Sequence, residues 1–352
     1  MNILVKVALS SLVVLGLTTT GLSAKTYKLK MAMSWKKTTP ILAATALRAA
    51  ELADEMSDGR LKIRVDGAEK HKAPFGIFDF VKQGLYDIGH TASYYYKGKD
   101  FKMVFFTTVP FGMTPNEQYS WYYEGGGKEL AQKVYEKHGL LTFMGGNTGI
   151  QMGGWFKKEI KHLDDLKGLK FRIPGLGGEV MAKLGVNAVN IAPGELYMSL
   201  ELGTIDAVEW VSPYFDTKLG LHKIAPFYYT AWQEPASELQ FIINEKKFKK
   251  LPNDLQVILK SAFKVATFEM MQKANYQNAL TWSKIKQDYP NIKVKTFSKE
   301  IIDALKVASK EIFDEQARKD PLFKEILESQ RKYQKKAEAW TDISDKVYLQ
   351  TR

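Results

Sequence analysis

The sequence of 352 residues contains no cysteine. This absence excludes disulfide bonds, metal sites built on thiolates and cysteine nucleophiles. Histidine is scarce, with five widely separated residues that show no metal-ligand spacing. The HExxH helix, the GxSxG elbow and the Walker phosphate loop are also missing. The sequence therefore gives little support to a hydrolase.

A negative net charge is absent as well, because 51 Lys and Arg residues outnumber 39 Asp and Glu residues. The formal net charge of +12 leaves nucleic acid, an anionic membrane surface and small anions open as partners. Hydrophobic residues make up 45% of the chain, too many for an intrinsically disordered protein. The composition indicates an ordinary globular protein with one large or two medium domains.

Apolar runs long enough to cross a membrane are missing too. The run at residues 7–17 follows Lys6 and is well short of the ~20 apolar residues that a bilayer requires. A positive start, a short apolar core and small residues ending at Ala24 are typical of a secretory signal peptide. We predict that residues 1–24 are removed and that the mature protein is soluble and exported. Nucleic acid is then not expected as a partner.

Strand-like and helix-like patterns alternate from Thr26 to Trp210, which predicts an α/β fold with parallel layers. One long segment, residues 253–289, contains neither Pro nor Gly and keeps a helical period. About 35 residues at a rise of 1.5 Å extend over ~50 Å, so we expect this helix to bridge two lobes. Further helices are predicted at residues 298–318 and 321–340.

Residue types that suit anion binding concentrate between residues 145 and 240. Residues 145–155 form a glycine-dense crossover in which the backbone can approach a ligand closely. Arg172 ends a predicted strand, at the edge where open α/β sheets place ligands, and Glu209 and Trp210 end another. Arg suits a carboxylate because its planar fork donates two parallel hydrogen bonds. On these residues alone, surface salt bridges and a core position for Trp210 remain open.

Three segments of this region carry a family resemblance: GNTGIQMGGWF at residues 146–156, FRIPG at 171–175 and VEWVSPYFD at 208–216. With them, the mature chain resembles the solute-binding proteins of TRAP (tripartite ATP-independent periplasmic) transporters over nearly its whole length. It is most similar to the subgroup that binds 2-oxo acids such as pyruvate together with a cation, typically sodium. Relatives of that subgroup bind lactate with calcium.

The resemblance implies both the fold class and the function. The fold is an α/β, two-lobed periplasmic binding protein with a long helix bridging both lobes and an extra C-terminal helix. The protein is expected to close on a small 2-oxo monocarboxylate and to deliver it to the membrane subunits of a TRAP permease, without catalysis. A lactate or other 2-hydroxy acid receptor with calcium and a periplasmic sensor subunit remain alternatives. An exported metal-dependent enzyme is a further rival.

The resemblance also assigns binding roles to individual residues. Arg172 is expected to fix the ligand carboxylate, and Gln151 to contact both ligand and metal. Glu209 supplies a carboxylate oxygen and Trp210 a backbone carbonyl oxygen to the cation, and Trp210 also lines the substrate pocket. Hard cations prefer such oxygen donors, and a 2-oxo acid adds its carboxylate and keto oxygens as a chelate. Na⁺ is the expected ion and Ca²⁺ the alternative, since the donor types do not separate them.

The family's hinge segment falls at residues 231–235. A polar residue of this segment usually completes the pocket, and Glu234 is the residue that we predict to contact the ligand. Gln233 and Glu238 lie close by in the sequence and are alternatives of similar polarity.

The opposite lobe is expected to contribute aromatic side chains. The triplet at residues 94–96 follows a predicted strand, and we take Tyr94 as the ligand contact, although the triplet by itself leaves open which ring faces inward. Trp35 follows the first strand and is either another wall of the pocket or an ordinary packed Trp.

The predicted domain division places residues 25–150 with 239–285 in lobe I and residues 151–238 with 286–318 in lobe II. Residues 319–352 form a helical tail. The apolar positions of this tail suit either of two arrangements. In one, the C-terminal helix is exchanged between subunits of a homodimer, and in the other it folds back on its own lobe.

Overall fold

Residues 25–352 are described by a computed structural model, and the predicted signal peptide lies outside the described residues. The strands in this range are, in chain order, β1 (Tyr27–Met33), β2 (Leu61–Asp66), β3 (Ile88–Thr91), β4 (Leu140–Asn147), β5 (Gly154–Phe156), β6 (Lys170–Arg172), β7 (Asn187–Val189), β8 (Ala207–Val208), β9 (Phe227–Tyr229), β10 (Glu238–Asn244) and β11 (Lys293–Lys295).

The α-helices of the same range are α1 (Leu42–Met56), α2 (Ala68–His71), α3 (Ile77–Lys82), α4 (Pro115–Glu124), α5 (Gly127–Glu136), α6 (Gly175–Lys183), α7 (Leu196–Glu201), α8 (Pro213–Leu219), α9 (Glu245–Lys249), α10 (Asn253–Asp288), α11 (Lys299–Lys319), α12 (Pro321–Thr341) and α13 (Asp345–Thr351). Among these helices, none combines the length and the apolar character needed to cross a bilayer.

The strands form two separate sheets. The first has the order β2-β1-β3-β10-β4 and the second the order β11-β9-β5-β8-β6-β7. β1 pairs in parallel with β2 and β3, as β6 does with β7 and β8. β10 runs antiparallel to β3 and β4, and β5 runs antiparallel to β8 and β9. The α/β fold is confirmed. Parallel pairing holds among β1–β3 and among β6–β8, and β5 and β10 add antiparallel pairs to the two sheets.

β5 and β10 are antiparallel because each enters its sheet directly from the other sheet, without a helix on the way. Residues 148–153 join β4 to β5, and residues 230–237 join β9 to β10. Such a strand begins at the edge of its sheet where the neighbouring strands end, so it runs opposite to them. The two segments, here called the hinge linkers, lie side by side, since the backbone N–H of Gln151 donates to the carbonyl oxygen of Glu234 at 3.0 Å.

Each sheet with its helices forms one lobe. Lobe I contains the first sheet, with strands from residues 27–147 and 238–244, and lobe II contains the second sheet, with strands from residues 154–229 and 293–295. The residue boundaries that we assigned to the lobes remain a prediction. Glu238, which that division placed at the end of lobe II, begins β10 in the first sheet.

Helix α1 attaches the long helix to lobe I. Its buried face consists mainly of small residues, including Ala43, Ala46, Ala49 and Ala53 at three- and four-residue spacing. The distance between packed helices depends on the side chains at the contact, so small residues allow a close approach. α1 contacts β2 on one side and α10 on the other.

Helix α10 bridges the two lobes, as predicted. Its 36 residues correspond to a length of ~54 Å. Near its middle, the Thr267 hydroxyl donates to the carbonyl oxygen of Met144 in lobe I at 2.9 Å. Three turns later, the side-chain oxygen of Asn278 accepts from the hydroxyl of Ser212 and the N–H of Tyr214 in lobe II, both at 3.0 Å. One rigid helix is therefore bonded to both lobes.

The tail helix α12 packs on lobe I of its own chain. Asp320 caps its first turn by accepting from two backbone N–H groups. The buried ring of Phe323 lies 4.6 Å from the ring of Phe105, measured between centroids. The indole N–H of Trp121 donates to the Ser329 hydroxyl at 3.0 Å. Of the two arrangements considered for the tail, the folded-back one is the arrangement in the described chain.

Phe323→Ala should lower the free energy of unfolding by about 3 kcal/mol, because removing a buried ring leaves a cavity between α12 and lobe I. Leu349→Ala is the matched control, since Leu349 lies in the same tail but is 55% exposed. That variant should change the free energy by less than about 0.5 kcal/mol. Urea denaturation measures both values. Equal stability of the two variants would contradict the packing of α12 described here.

Candidate functional site

Two neighbouring strands of lobe II end at the cleft between the lobes. Arg172 is the last residue of β6, and Glu209 follows the last residue of β8. β6 and β8 pair in parallel with Arg172 opposite Val208, and the N–H of Glu209 donates to the carbonyl oxygen of Arg172 at 2.9 Å. Parallel pairing therefore brings both side chains to one sheet edge, the edge at which open α/β sheets place ligands.

The Arg172 guanidinium is completely buried but only partly bonded. Its Nη1 donates to the carbonyl oxygen of Glu209 at 2.5 Å and to Oε2 of the same residue at 3.3 Å. Its Nε donates to the carbonyl oxygen of Ile191 at 3.2 Å. The guanidinium carbon Cζ lies 5.5 Å from the ring centroid of Trp210. Nη2 is buried without a hydrogen-bond partner among residues 25–352. Nη2 is thus the nitrogen of the guanidinium that is available to donate to an acceptor.

Gln151 lies on the first hinge linker and is 2% exposed. Its backbone N–H is bonded to Glu234, and its side-chain NH₂ donates to the Thr148 hydroxyl at 2.9 Å. These two bonds fix the side-chain amide. Its Oε1 is buried and has no hydrogen-bond partner in the described part of the chain.

Glu234 lies beside Gln151 on the second hinge linker and is also 2% exposed. Its Oε2 is a further buried atom without a partner within the described range. Burial raises the pKa of Glu234 to about 7, against the opposing effects of a hydrogen bond from Ser237 and the charge of Arg172. Burial, followed by the Glu234 charge, raises the pKa of Glu209 well above its usual range. Desolvation of Glu209 thus outweighs its ion pair with Arg172.

Of the three polar residues near the hinge, the structure brings Glu234 to the site. The Gln233 side chain instead donates to the carbonyl oxygen of Met152 at 2.8 Å. Glu238 lies in the first sheet, where its Oε1 accepts from the N–H groups of Gly145 at 2.9 Å and Gly146 at 3.0 Å. Glu238 therefore holds the glycine crossover in place.

Two tyrosines of lobe I face the charged residues of lobe II. The rings of Tyr94 and Tyr95 are nearly perpendicular, with centroids 4.9 Å apart. Burial raises the pKa of Tyr95 to about 12, and the charges of Arg172 and Glu234 act on both tyrosines. Tyr96 points elsewhere, because its hydroxyl is bonded to Thr91 at 2.8 Å within lobe I. Tyr94 and Tyr95 thus both lie near the charged residues of lobe II, and the role of Tyr94 as a ligand contact stays a prediction.

The lobes touch at Tyr94. A Cβ atom on Gly175, the first residue of α6, would lie 3.2 Å from the Tyr94 ring, and Gly175 has φ +63°. Both the close approach and the left-handed backbone favour glycine here. Next to this contact, the Lys97 ammonium of lobe I forms an ion pair with Glu179 of α6. The described structure is therefore a closed arrangement of the two lobes.

A cavity of about 580 Å³ lies between the lobes, and it borders the site at Trp210. Trp35 and Trp210 line it from opposite lobes, together with charged residues that include Lys36, Glu69, Lys72, Glu195 and Lys218. The indole N–H of Trp35 donates to Nδ1 of His90 at 2.9 Å. Trp35 is thus both a packed residue and a wall of the cavity.

Asp216 is a residue near the site that the sequence did not point to. Its carboxylate accepts from the Trp155 indole at 2.9 Å, the Tyr228 hydroxyl at 2.8 Å and the Val211 backbone N–H at 3.0 Å. The last of these bonds fixes the backbone just after Trp210. The sequence offered no signal for this role, because the residues that bond to Asp216 come from three separate elements.

The residues present suit a hard cation. The buried oxygens without a partner in the described chain include Oε1 of Gln151, Oε1 of Glu209 and Oε2 of Glu234. Buried polar atoms are normally hydrogen-bonded, so such a group of oxygens calls for a donor or a metal ion. Within residues 25–352, no group of three or more His, Cys, Asp or Glu side chains could hold a metal. A cation would therefore be bound by a mixture of carboxylate, amide and backbone oxygens.

Glu234→Gln should alter the pH dependence of stability of the protein without ligand or cation. Because the pKa of Glu234 is raised to about 7 in the folded state, that state binds more protons than the unfolded state between about pH 4.5 and 7. Glu234 therefore destabilises the fold increasingly as the pH rises through that range. The variant should match the wild type at pH 5 and exceed its free energy of unfolding at pH 8. Denaturation curves at both pH values test this, and a difference that is independent of pH would contradict it.

Comparisons with known proteins find similar sequences and similar structures. The model of a family described as bacterial extracellular solute-binding protein, family 7 (DctP), matches residues 31–320. The monocarboxylate 2-oxoacid-binding periplasmic protein of Nostoc sp. is 41% identical over 320 residues, which are 91% of this chain and 87% of that protein.

Solved structures are similar over most of both chains. A TRAP periplasmic solute binding protein from Pseudoalteromonas atlantica with bound sodium and pyruvate is 51% identical, has a TM-score of 0.92 and covers 93% of this chain and 100% of its own. The same identity, TM-score and coverages hold for one from Colwellia psychrerythraea with bound calcium and pyruvate. A Bordetella bronchiseptica TRAP solute binding protein, a mixed occupancy dimer with calcium and picolinate, is 33% identical, with a TM-score of 0.90 and coverages of 93% and 97%.

Proposed function

This chain belongs to family 7 of the bacterial extracellular solute-binding proteins, the DctP family, and from this premise we propose that it carries pyruvate or a similarly small 2-oxo monocarboxylate to a TRAP permease. The family consists of substrate-binding receptors, and the function proposed here is binding and delivery without catalysis. We also propose that residues 1–24 direct export to the periplasm and are cleaved after Ala24.

One observation supports the proposed ligand most directly. Nη2 of Arg172 is a buried donor, and Oε1 of Gln151 and Oε1 of Glu209 are buried acceptors, all without partners in the described chain. A carboxylate satisfies the guanidinium donor, and a cation satisfies the two oxygens. A 2-oxo monocarboxylate with its cation supplies both, so this ligand pair offsets the cost of burying these groups without partners.

The remaining roles follow from the same arrangement. Arg172 binds the ligand carboxylate, while Gln151, Glu209 and the backbone carbonyl of Trp210 hold the cation. Tyr94 closes the pocket from lobe I. A 2-oxo acid would add its keto oxygen and one carboxylate oxygen to these donors, the oxygen ligands that a hard cation prefers. Sodium or calcium accompanies pyruvate in relatives that are both 51% identical, so pyruvate alone does not dictate the ion in that group.

Arg172→Ala should reduce the affinity for pyruvate by about tenfold to a hundredfold, because hydrogen bonds to a charged group are lost. Arg172→Lys is the matched control, because it keeps the charge and loses the planar fork, and it should retain only part of the affinity. Isothermal titration calorimetry with pyruvate measures the loss, and circular dichroism verifies the fold. Wild-type affinity in Arg172→Ala would refute this role.

We also propose a homodimer through the C-terminal tail. The end of the tail exposes large apolar side chains, with Trp340 at 68%, Ile343 at 72% and Tyr348 at 64% exposure. Exposed apolar groups of this kind mark protein contact sites in soluble proteins. The Bordetella bronchiseptica relative is described as a dimer.

Removal of residues 342–352 should convert the dimer to a monomer, because it deletes α13 and most of the exposed apolar side chains. The deletion spares α12 and its packing on lobe I, so the fold should persist. Sedimentation velocity over a range of protein concentrations measures the association state. A full-length chain that is monomeric at all concentrations would contradict the proposal.

A further inference from the structure

The backbone hydrogen bonds of the second hinge linker show where it is attached to each lobe. At its start, the N–H of Thr230 donates to the carbonyl oxygen of Lys295 in lobe II at 2.8 Å. Two residues later, the carbonyl oxygen of Trp232 accepts from the N–H of Phe111 at 3.0 Å. Ala231 is the residue between these two attachment points.

Phe111 belongs to lobe I. It lies in the loop that precedes α4, residues 107–114. The carbonyl oxygen of Thr107, at the start of this loop, accepts from the N–H of Glu238 in β10 at 3.0 Å, which connects the loop to the first sheet. The second linker is therefore bonded to lobe II on one side of Ala231 and to lobe I on the other.

The first hinge linker is attached in a similar way. The N–H of Thr148 donates to the carbonyl oxygen of Ser237, which directly precedes the first sheet, at 3.1 Å. The N–H of Met152 donates to the carbonyl oxygen of Val211 in lobe II at 2.8 Å. Residues 149–151 lie between these attachments. Both linkers thus have short pivots, and hinges that absorb a lobe movement consist of a few such residues.

Phe111 has an uncommon backbone conformation. Its φ of +57° lies in the left-handed region, which a residue with a bulky side chain seldom adopts. Such a conformation persists only where the surrounding contacts determine it, and residues of this kind cluster at switch regions. One of these contacts is the ring of Trp232, whose centroid lies 5.8 Å from that of Phe111. Trp232 is buried, so this part of the linker is packed against the loop as well as bonded to it.

The C-terminal helices supply the contacts on the other side of Phe111. The side-chain NH₂ of Gln334 on α12 donates to the carbonyl oxygen of Phe111 at 3.0 Å. From α11, the ammonium group of Lys306 lies 5.6 Å from the centroid of the Phe111 ring. The N–H of Phe111 is thus bonded to the hinge, and its carbonyl oxygen is bonded to the tail. A single residue connects the tail helix to the second linker.

We propose that Phe111 is a positioning residue of the hinge, which attaches the second linker to lobe I, confines the pivot of that linker to Ala231 and is itself held by α12. The proposal rests on the proposed function and deepens it, because it names the contacts that guide closure on the ligand. Each linker residue that is not attached adds backbone conformations, and closing on a ligand must remove them at a cost in affinity. The tail helix therefore increases the affinity for the ligand, although the residues assigned to ligand binding lie elsewhere.

The experiment separates this role from ordinary packing of the tail. Phe111→Ala removes the ring, and Gln334→Ala removes the bond between the tail and Phe111. Gln330→Ala is the matched control, because Gln330 lies one turn earlier on α12 and donates to the carbonyl oxygen of Phe105 in lobe I at 3.2 Å. Phe111→Tyr keeps the ring, which borders a surface groove of about 210 Å³. Isothermal titration calorimetry in a buffer with both NaCl and CaCl₂ measures the affinity for pyruvate, and urea denaturation measures stability.

Phe111→Ala and Gln334→Ala should each weaken pyruvate binding by about fivefold or more, because closure must then order additional linker residues. Phe111→Tyr and Gln330→Ala should keep the wild-type affinity, even though Gln330→Ala removes a buried hydrogen bond and lowers stability. Wild-type affinity in both Phe111→Ala and Gln334→Ala overturns the proposal. An equal loss of affinity in Gln330→Ala overturns it as well, because any weakening of the tail would then have the same effect.

A second measurement needs no ligand. In the ligand-free protein, hydrogen exchange followed by mass spectrometry reports on the backbone N–H groups at positions 111 and 151, both of which donate to the second linker. These groups should exchange faster in Phe111→Ala and Gln334→Ala than in the wild type and Gln330→Ala. Unchanged exchange overturns the proposal. A wild type that binds no pyruvate contradicts the proposed function itself, and the exchange rates then decide the role of Phe111 separately.

Discussion

The structure depends on one interaction, the buried ion pair between Arg172 and Glu209 at the ends of two neighbouring strands. Buried ion pairs of this kind seldom stabilise a fold, because the cost of removing two charges from water exceeds their mutual attraction unless every remaining donor and acceptor is satisfied. Here several are not, since Nη2 of Arg172 and Oε1 of Glu209 lack partners in the described chain. The proposed carboxylate and cation would supply these missing partners and so stabilise the closed pocket.

The hinge linkers connect the stability of the closed pocket to the movement of the lobes. Gln151 lies on one linker and Glu234 on the other, and a backbone hydrogen bond joins them. Arg172 and Glu209 belong to lobe II, whereas Tyr94 reaches the pocket from lobe I. A ligand held by these residues contacts both lobes and the segments between them. Because the closed arrangement brings the full set together, a ligand that binds all of these residues would stabilise it over an open arrangement.

The sequence predicted the parts of the site that rest on strand ends and short motifs. Arg172 and Glu209 end up side by side because parallel pairing of β6 and β8 brings their carboxyl ends together. It could not separate Tyr94 from Tyr96, because a single turn decides which ring turns toward the pocket. The partners of Asp216 come from distant segments, and the antiparallel β5 and β10 depend on how the chain crosses between lobes. These features follow from tertiary contacts that no local pattern records.

The ion pair between Lys97 and Glu179 makes the contact between the lobes sensitive to dissolved salt. This ion pair joins the lobes at the surface, where its side chains are 32% and 43% exposed, whereas Arg172 and Glu209 are sealed inside. Dissolved ions screen exposed charges strongly and buried charges much less. Rising ionic strength therefore weakens the surface ion pair between the lobes more than the buried pair between Arg172 and Glu209, so the outer contact between the lobes becomes easier to open.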